Sequence, residues 1–314
     1  MTIEKMLEGA ATLAIAGHER PDGDCIGSCM GLYLYLKRNM PELAVDVFLE
    51  EPQEVFSYIQ DLDKVQTVYD PEKSYDIFLT LDVSSLERVG VAGGYREKAV
   101  KTICIDHHIT NPGIGMINVI DAEASSSCEV LYDLLDHKKI DKAIAEALYT
   151  GIIHDTGVFQ YVNTRPQTMK IAAALIEKEI DFSWIIEHSF YEKSHSQERI
   201  LGRVLERSRL YLDGAVIVGV AHKEDMEEFG IAAKEMDGVV SQLRLTKGIR
   251  VAVLLYPVSE SGYKVSLRAK GEVDVSEVAG VFGGGGHVQA AGCSINGTAR
   301  EATELLLDEL KKKL

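Results

Sequence analysis

The stretch Thr12-Leu13-Ala14-Ile15-Ala16-Gly17-His18-Glu19-Arg20-Pro21-Asp22-Gly23-Asp24-Cys25-Ile26-Gly27-Ser28 decides how the chain is to be read. Residues 12–16 are small or apolar without polar alternation, the pattern of a strand covered on both faces of a sheet. Residues 25–38 carry an amphipathic pattern that predicts a helix. Between them lies an acidic loop with one imidazole. A buried strand, a polar loop and a helix, in that order, open a βαβ unit.

Working outward, the same arrangement of an apolar run ending in acidic or imidazole side chains recurs. Asp82 closes the run 76–81, Asp106-His107-His108 closes 101–105, and Asp155 closes 148–154. Residues 44–49, 65–69, 77–81 and 102–105 read as further strands, and residues 128–137 as a further helix. The fold class is therefore α/β, a mostly parallel sheet with helices on both faces. From residue 142 to about 207 the pattern is helical. A second strand-rich unit begins near Leu210, with strands at 215–221, 250–256 and 263–269 and helices at 275–282 and 300–312. The expected division is a catalytic domain over 1–190, a helical connector over 191–209 and a smaller α/β domain over 210–314.

In an open parallel sheet, residues just past the strand ends gather at the carboxyl edge, where ligands bind. The acidic and histidine clusters are expected to converge there. Bare carboxylates so placed repel and raise one another's pKa, and divalent cations remove that penalty. Carboxylate and imidazole donors without thiolate suit Mn²⁺, Fe²⁺ or Mg²⁺. The donors are too many for one ion, so two ions sharing a carboxylate is the economical reading. Two ions ~3.5–4 Å apart stabilise both the attacking and the leaving oxygen in phosphoryl transfer. The plainer alternatives are that Asp22 or Asp24 caps the following helix and that a lone histidine pair is structural. Asp155-Thr156-Gly157 also spells the aspartic-protease triplet. It occurs once, in a helical pattern, whereas that chemistry needs a second aspartate in a β-rich setting.

Phe282-Gly283-Gly284-Gly285-Gly286-His287 offers backbone N–H groups to an anion, and a helix starting after it would add its positive end. A flexible turn is the plain alternative. The charge balance of 33 Lys+Arg against 49 Asp+Glu, net −16, disfavours long nucleic acids and anionic membranes as partners. Five scattered cysteines without a C-x-x-C pair read as reduced thiols and a cytoplasmic protein. No run approaches the ~18 apolar residues that span a bilayer. Trp184, beside Phe182, is expected in the core.

His18 to Ser28, Asp82, Asp106-His107-His108 and Gly151 to Gly157 resemble the signature motifs of the DHH superfamily of phosphoesterases. Ser266-Leu267-Arg268 and the glycine–histidine run resemble the DHH-associated domain. Together they cover nearly the whole chain and look like the nanoRNase and pAp phosphatase subfamily. The resemblance implies His18, Asp22 and Asp82 around one metal, and Asp24, Asp82, His107 and Asp155 around a second, with Asp82 bridging. It implies that His108 faces the substrate phosphate, that Asp106 orients a ligating imidazole, and that Arg268, Gly284, Gly285, Gly286 and His287 grip the nucleotide. The cofactors would be two divalent cations, Mn²⁺ before Mg²⁺ or Fe²⁺. The implied activity is hydrolysis of short oligoribonucleotides and of 3′-phosphoadenosine 5′-phosphate (pAp). The alternatives are cyclic dinucleotides or their linear products, a single-strand exonuclease, or a non-catalytic nucleic-acid-binding module. A homodimer is left open.

Overall fold

Residues 77–81 are apolar or β-branched at every position and are stable only where both sheet faces are covered. In the structure, a computed structural model that describes residues 2–236, 238–259 and 262–314, all five are buried. They form β3 (Ile77–Leu81), at the centre of a sheet with β1 (Thr12–Ala16), β2 (Ala44–Phe48), β4 (Lys101–Asp106) and β5 (Ile117–Ile120). The order is β2-β1-β3-β4-β5 and every neighbouring pair is parallel. The helices of this unit are α1 (Ile3–Met6), α2 (Gly23–Asn39), α3 (Ser127–Leu134), α4 (Lys142–Asp155), α5 (Pro166–Ile176) and α6 (Phe182–Ile186). They pack on one face, where Leu13, Ile15, Leu79 and Ile105 meet Ile26, Met30, Cys128, Leu148 and Ile152. The other face, carrying Ala14, Ala16, Phe48 and Phe78, is covered by Tyr75, Val89, Ala92 and Tyr95 around two short 3₁₀ turns. The chain leaves β1 outward to β2 and returns to β1's other side as β3. That reversal opens a crevice at the carboxyl ends of β1 and β3.

Three local expectations need correction. Residues 65–69 form no strand; Gln66 makes an isolated bridge to Phe48, and Val68 is largely exposed. Residues 117–120 add an edge strand whose half-exposed, mixed sequence gave little signal. The run 148–154 lies inside α4, so Asp155 sits at a helix C-terminus rather than a strand end. The N-cap Asp141, accepting from the Ile144 amide at 3.1 Å, starts that helix, and its alanines favour helical backbone.

The chain divides into two units, Met1–Glu192 and Lys193–Leu314. The second holds α7 (His195–Arg207), β6 (Arg209–Tyr211), β7 (Val216–Val220), α8 (Lys223–Phe229), α9 (Val239–Arg244), β8 (Val251–Ser259), β9 (Gly262–Ala269), α10 (Val275–Val281), β10 (Gly285–His287), β11 (Ala290–Asn296) and α11 (Ala299–Leu310). Its mixed sheet runs β10-β11-β9-β8-β7-β6, with β7 and β8 parallel. Helices α10 and α11 pack on one face; α7, α8 and α9 pack on the other. Within the expected connector, α7 buries Ile200 and Val204 in the core of this second unit. The glycine run is not followed by a helix: α10 precedes it, and Gly285–His287 pairs antiparallel with β11. A Cβ at Gly284 would lie 2.2 Å from the Gly292 carbonyl oxygen, so part of the glycine requirement is close backbone packing. Trp184 is 44% exposed and stacks on His188, which removes it from the core. All five cysteines are buried and free. Among the described residues, no helix is long and apolar enough to cross a membrane.

Candidate metal centre

The loop after β1 delivers His18, Asp22 and Asp24. Asp22 is the N-cap of α2, its Oδ1 accepting from the Asp24 and Cys25 amides at 3.1 Å, so the plain capping reading holds. The same carboxylate lies 3.7 Å from His18 Nε2, so the capping residue also adjoins the cluster. His18 Nδ1 is 2.8 Å from the Glu19 carbonyl, which assigns the ring proton there and leaves Nε2 as a donor atom. That Nε2 faces Asp82 at 3.5 Å. Gly23 lies against α4, where a Cβ would sit 2.3 Å from the His154 ring; no other residue fits between Asp22 and Asp24 without a shift.

Asp82 follows β3 with a left-handed φ of 60°, a conformation that short polar side chains tolerate best after glycine. It is 2% exposed and Oδ1 accepts from Ser127 Oγ at 3.0 Å. Asp24 is fully buried, and its two oxygens accept from the Ser127 amide at 2.6 Å and the Cys128 amide at 3.0 Å. Those amides open α3, so the helix's positive end faces Asp24. His107 Nε2 lies 3.1 Å from Asp155, 3.6 Å from Asp82 and 4.0 Å from Asp24. Its Nδ1 faces the Ala124 carbonyl at 3.4 Å. The imidazole that Asp106 holds is that of His108, through Nδ1 at 2.8 Å, and not the ring of His107. Asp106 is itself fixed by the His107 amide and by Asn111 Nδ2 at 2.6 Å.

The electrostatics follow from this crowding. Burial and the Asp82 and Asp155 carboxylates push the Asp24 carboxyl well above its ordinary range. Burial likewise raises Asp155, with Asp82 adding to it against the hydrogen bond from His107. Burial alone would lower His107, but Asp155, Asp24 and Asp82 outweigh it and push the imidazole up to about 10. Against the desolvation of the crowded loop, the contacts of the exposed Asp22 carboxylate with His18 and with backbone amides draw it down to about 2. The hydrogen bond to Asp106 raises His108 despite burial. Among the described residues, the ion-pair partners of Asp22, Asp24, Asp82, Asp106 and Asp155 are imidazoles, with no Lys or Arg. Donor atoms of Asp24, His107 and Asp155 lie within 4.8 Å of one another, as do those of His18, Cys25 and Asp82 and those of Asp82, His107 and His108. This donor set fits divalent cations: the buried Asp24, Asp82 and Asp106, the half-buried Asp155 and the exposed Asp22 have no Lys or Arg among their ion-pair partners in the described residues, and Nε2 atoms are aimed among them. Cys25 Sγ accepts from the His18 amide at 3.3 Å, and its burial pushes the thiol well up, which disfavours thiolate ligation.

Ser127 and Asn111 are not among the residues that the sequence motifs single out. The available signal was the serine run ahead of Glu129, which marks an N-terminus; that a serine there would also reach Asp82 depends on tertiary packing.

In the second unit, β9 and β10 flank β11. Arg268 lies directly opposite Ala290, and Ala290 directly opposite His287. Residues directly opposite share a face, so Arg268 and His287 stand on one face, roughly 10 Å apart by strand spacing, with a methyl group between them. Arg268 is half-buried and His287 is exposed. Gly284, Gly285 and Gly286 continue along the edge beside them.

Both units resemble known proteins. Residues 12–152 match the family model described as DHH family, N-terminal domain, and residues 213–314 match the DHHA1 domain. The chain is 32% identical to the bifunctional oligoribonuclease and PAP phosphatase NrnA of Thermus thermophilus, over 99% of this chain and 92% of that protein. It is 30% identical to the Bacillus subtilis protein of the same name, over 95% and 93%. The crystal structure of an exopolyphosphatase-related protein from Bacteroides fragilis superposes with a TM-score of 0.89 at 27% identity, covering 98% of this chain and 94% of that one.

Proposed function

Because this chain belongs to the DHH family and carries a DHHA1 domain, we propose that it is a Mn²⁺-dependent hydrolase of short oligoribonucleotides and of pAp, releasing AMP and phosphate from the latter. It is a hydrolase of phosphoester bonds. The observation that supports the metal dependence is the cluster of carboxylates, Asp24 and Asp82 buried among them, whose ion-pair partners among the described residues are imidazoles; the substrates are those in the names of its relatives. His18, Asp22 and Asp82 would hold one ion, and Asp24, His107 and Asp155 the other, with Asp82 shared. Bound there, the ions would supply an activated water and neutralise charge on the phosphate.

The remaining work falls to the chain's own residues. Asp106 fixes the His108 ring through Nδ1 and favours its protonated form, leaving Nε2 to donate to the phosphate or to the leaving oxygen. Asn111 holds Asp106 in turn. In the second unit, Arg268, His287 and the backbone of Gly284, Gly285 and Gly286 would grip the nucleotide. With a net charge of −16, this reading favours short substrates in the cytoplasm over long strands.

The test is a substrate panel with Mn²⁺: pAp, linear dinucleotides, cyclic dinucleotides and pyrophosphate. Phosphate release from pAp and mononucleotides from linear dinucleotides are expected. Hydrolysis confined to cyclic dinucleotides would transfer the assignment to that class, and no Mn²⁺-dependent hydrolysis of any member would make the chain a binding module.

A further inference from the structure

Immediately after Asp155 and Thr156 the backbone turns left-handed for three consecutive residues. Gly157, Val158 and Phe159 have φ of 55°, 56° and 64°. Glycine accepts this region freely, but valine, branched at Cβ, rarely enters it. Such a turn persists only where its surroundings over-determine it, and strained backbone of this kind gathers at functional sites. Here Thr156 is the hub. Its Oγ1 donates to the Ile152 carbonyl at 2.6 Å and accepts from the Phe159 amide at 3.0 Å. Its carbonyl accepts from the Gln160 and Tyr161 amides, both at 2.9 Å, and the Val158 amide closes on the Ile153 carbonyl at 2.7 Å.

The turn sends the chain back over its own start. Asn163 Nδ2 donates to the Asp155 carbonyl at 3.1 Å and to the Ser125 carbonyl at 3.0 Å. Both partners are acceptors only, which fixes the orientation of the amide. Ser125 lies two residues before Ser127, whose amide holds Asp24. Asn163 therefore ties the residue bearing one carboxylate of the Asp24–His107–Asp155 group to the segment that holds another. The residues that follow reinforce the tie. Thr168 Oγ1 and Arg165 Nη2 donate to the buried Glu129 at 2.6 and 2.7 Å, and Glu129 accepts from Ser125 Oγ at 2.6 Å.

We propose that Asn163 is a positioning residue, a clasp that sets the spacing of Asp155 from Asp24 before an ion arrives. The proposal rests on the two-ion reading above. Asp155 serves one of the two proposed ions, so the effect should be selective.

The experiment uses the full chain stripped of metal, with Mn²⁺ added back and followed by calorimetry and by the paramagnetic resonance of free Mn²⁺. Asn163→Ala removes the clasp. Asn163→Asp keeps its shape but loses both N–H donors, and its added negative charge should by itself attract a cation, so weaker binding there reports the lost donors. In both variants one Mn²⁺ should bind within about two-fold of wild type and the other at least ten-fold more weakly, with kcat recovering as Mn²⁺ is raised. A purely structural role would lower the melting temperature without separating the two affinities, and that result would overturn the proposal. So would wild-type binding of both ions in Asn163→Asp, which keeps the test open if Asn163→Ala fails to fold. Wild-type protein that takes up fewer than two Mn²⁺ would refute the two-ion reading and the clasp with it; that failure appears in the wild type, whereas failure of the clasp alone appears only in the variants.

Discussion

Replacing Ser127 by alanine isolates one hydrogen bond at the heart of the centre. Ser127 Oγ donates to Asp82 Oδ1 at 3.0 Å; its 3.5 Å approach to Asp106 is too long to count. The contact is fully buried, so water cannot replace it. A hydrogen bond to a charged acceptor contributes about 1.5–3 kcal/mol, which is roughly a 10- to 100-fold change in an equilibrium constant. The same range is typical when a partner supporting a metal ligand is lost. Other contributions of Ser127 survive the change. Its amide still holds Asp24, because that is backbone, and α3 keeps its cap, because the capping side chain is that of Ser126. Alanine is also the better helix former. Ser127→Ala should therefore fold with its helix content unchanged, bind Mn²⁺ roughly 10- to 100-fold more weakly, and lose a comparable factor in kcat at limiting metal. Ser126→Ala is the control. It removes the hydroxyl that accepts from the Glu129 amide, and should lower stability by about 1 kcal/mol while leaving Mn²⁺ affinity intact. Metal titration by calorimetry and thermal melts in chelator read both variants. Equal Mn²⁺ affinity in Ser127→Ala and wild type would refute the idea that Asp82 is oriented by this hydroxyl.

Other outcomes follow from the same geometry. Mn²⁺ at 100 times its dissociation constant should stabilise the protein by about 2.7 kcal/mol per ion, seen as a higher melting temperature that chelator reverses; no shift would mean that the carboxylate cluster is tolerated without cations. Glu129 is held below the ordinary 4.5, since hydrogen bonds from Ser125, Thr168 and Arg165 outweigh burial. Its folded pKa is depressed, so its contribution is present above about 4.5 and lost as the pH falls through the folded value. Glu129→Gln should accordingly flatten the acid limb of the melting curve below that pH, and an unchanged limb would place the loss elsewhere. Arg268→Ala should raise KM for pAp at least about ten-fold while Mn²⁺ stoichiometry stays as in wild type; wild-type KM would remove the second unit from substrate binding. Finally, kcat/KM should fall steeply from dinucleotides to RNAs of about twenty nucleotides, with a salt slope of only one or two phosphate contacts. Equal efficiency on the long RNA would point to a basic channel.

The carboxylates and imidazoles that gather in the first unit were legible in the sequence because their residue types stand out beside apolar runs. Carboxylates and imidazoles placed directly after buried apolar runs must emerge at one sheet edge, and a charge of −16 bears on partner class without any fold. The parallel sheet was equally legible, since strands covered on both faces must be apolar at nearly every position, as in Ile77–Leu81. Tertiary structure alone decided the rest. Asp155 reaches the centre from the end of a helix that the pattern from residue 142 already indicated; what tertiary structure decided is the packing of that helix against α2, which brings Asp155 to the same cluster as the residues after the strands. The glycine run pairs as a strand because its freedom from side chains lets β10 lie against the backbone of β11. Asp106 holds the ring of His108 and not that of His107, a choice between adjacent imidazoles set by the direction in which β4 releases the chain. Ser127, Asn111 and Asn163 are ordinary polar residue types, the first at the start of α3 and the other two in loops. Their hydrogen bonds to Asp82, Asp106 and the Asp155 backbone span 45, 5 and 8 positions along the chain, and such contacts exist only once the backbone has brought their partners within reach.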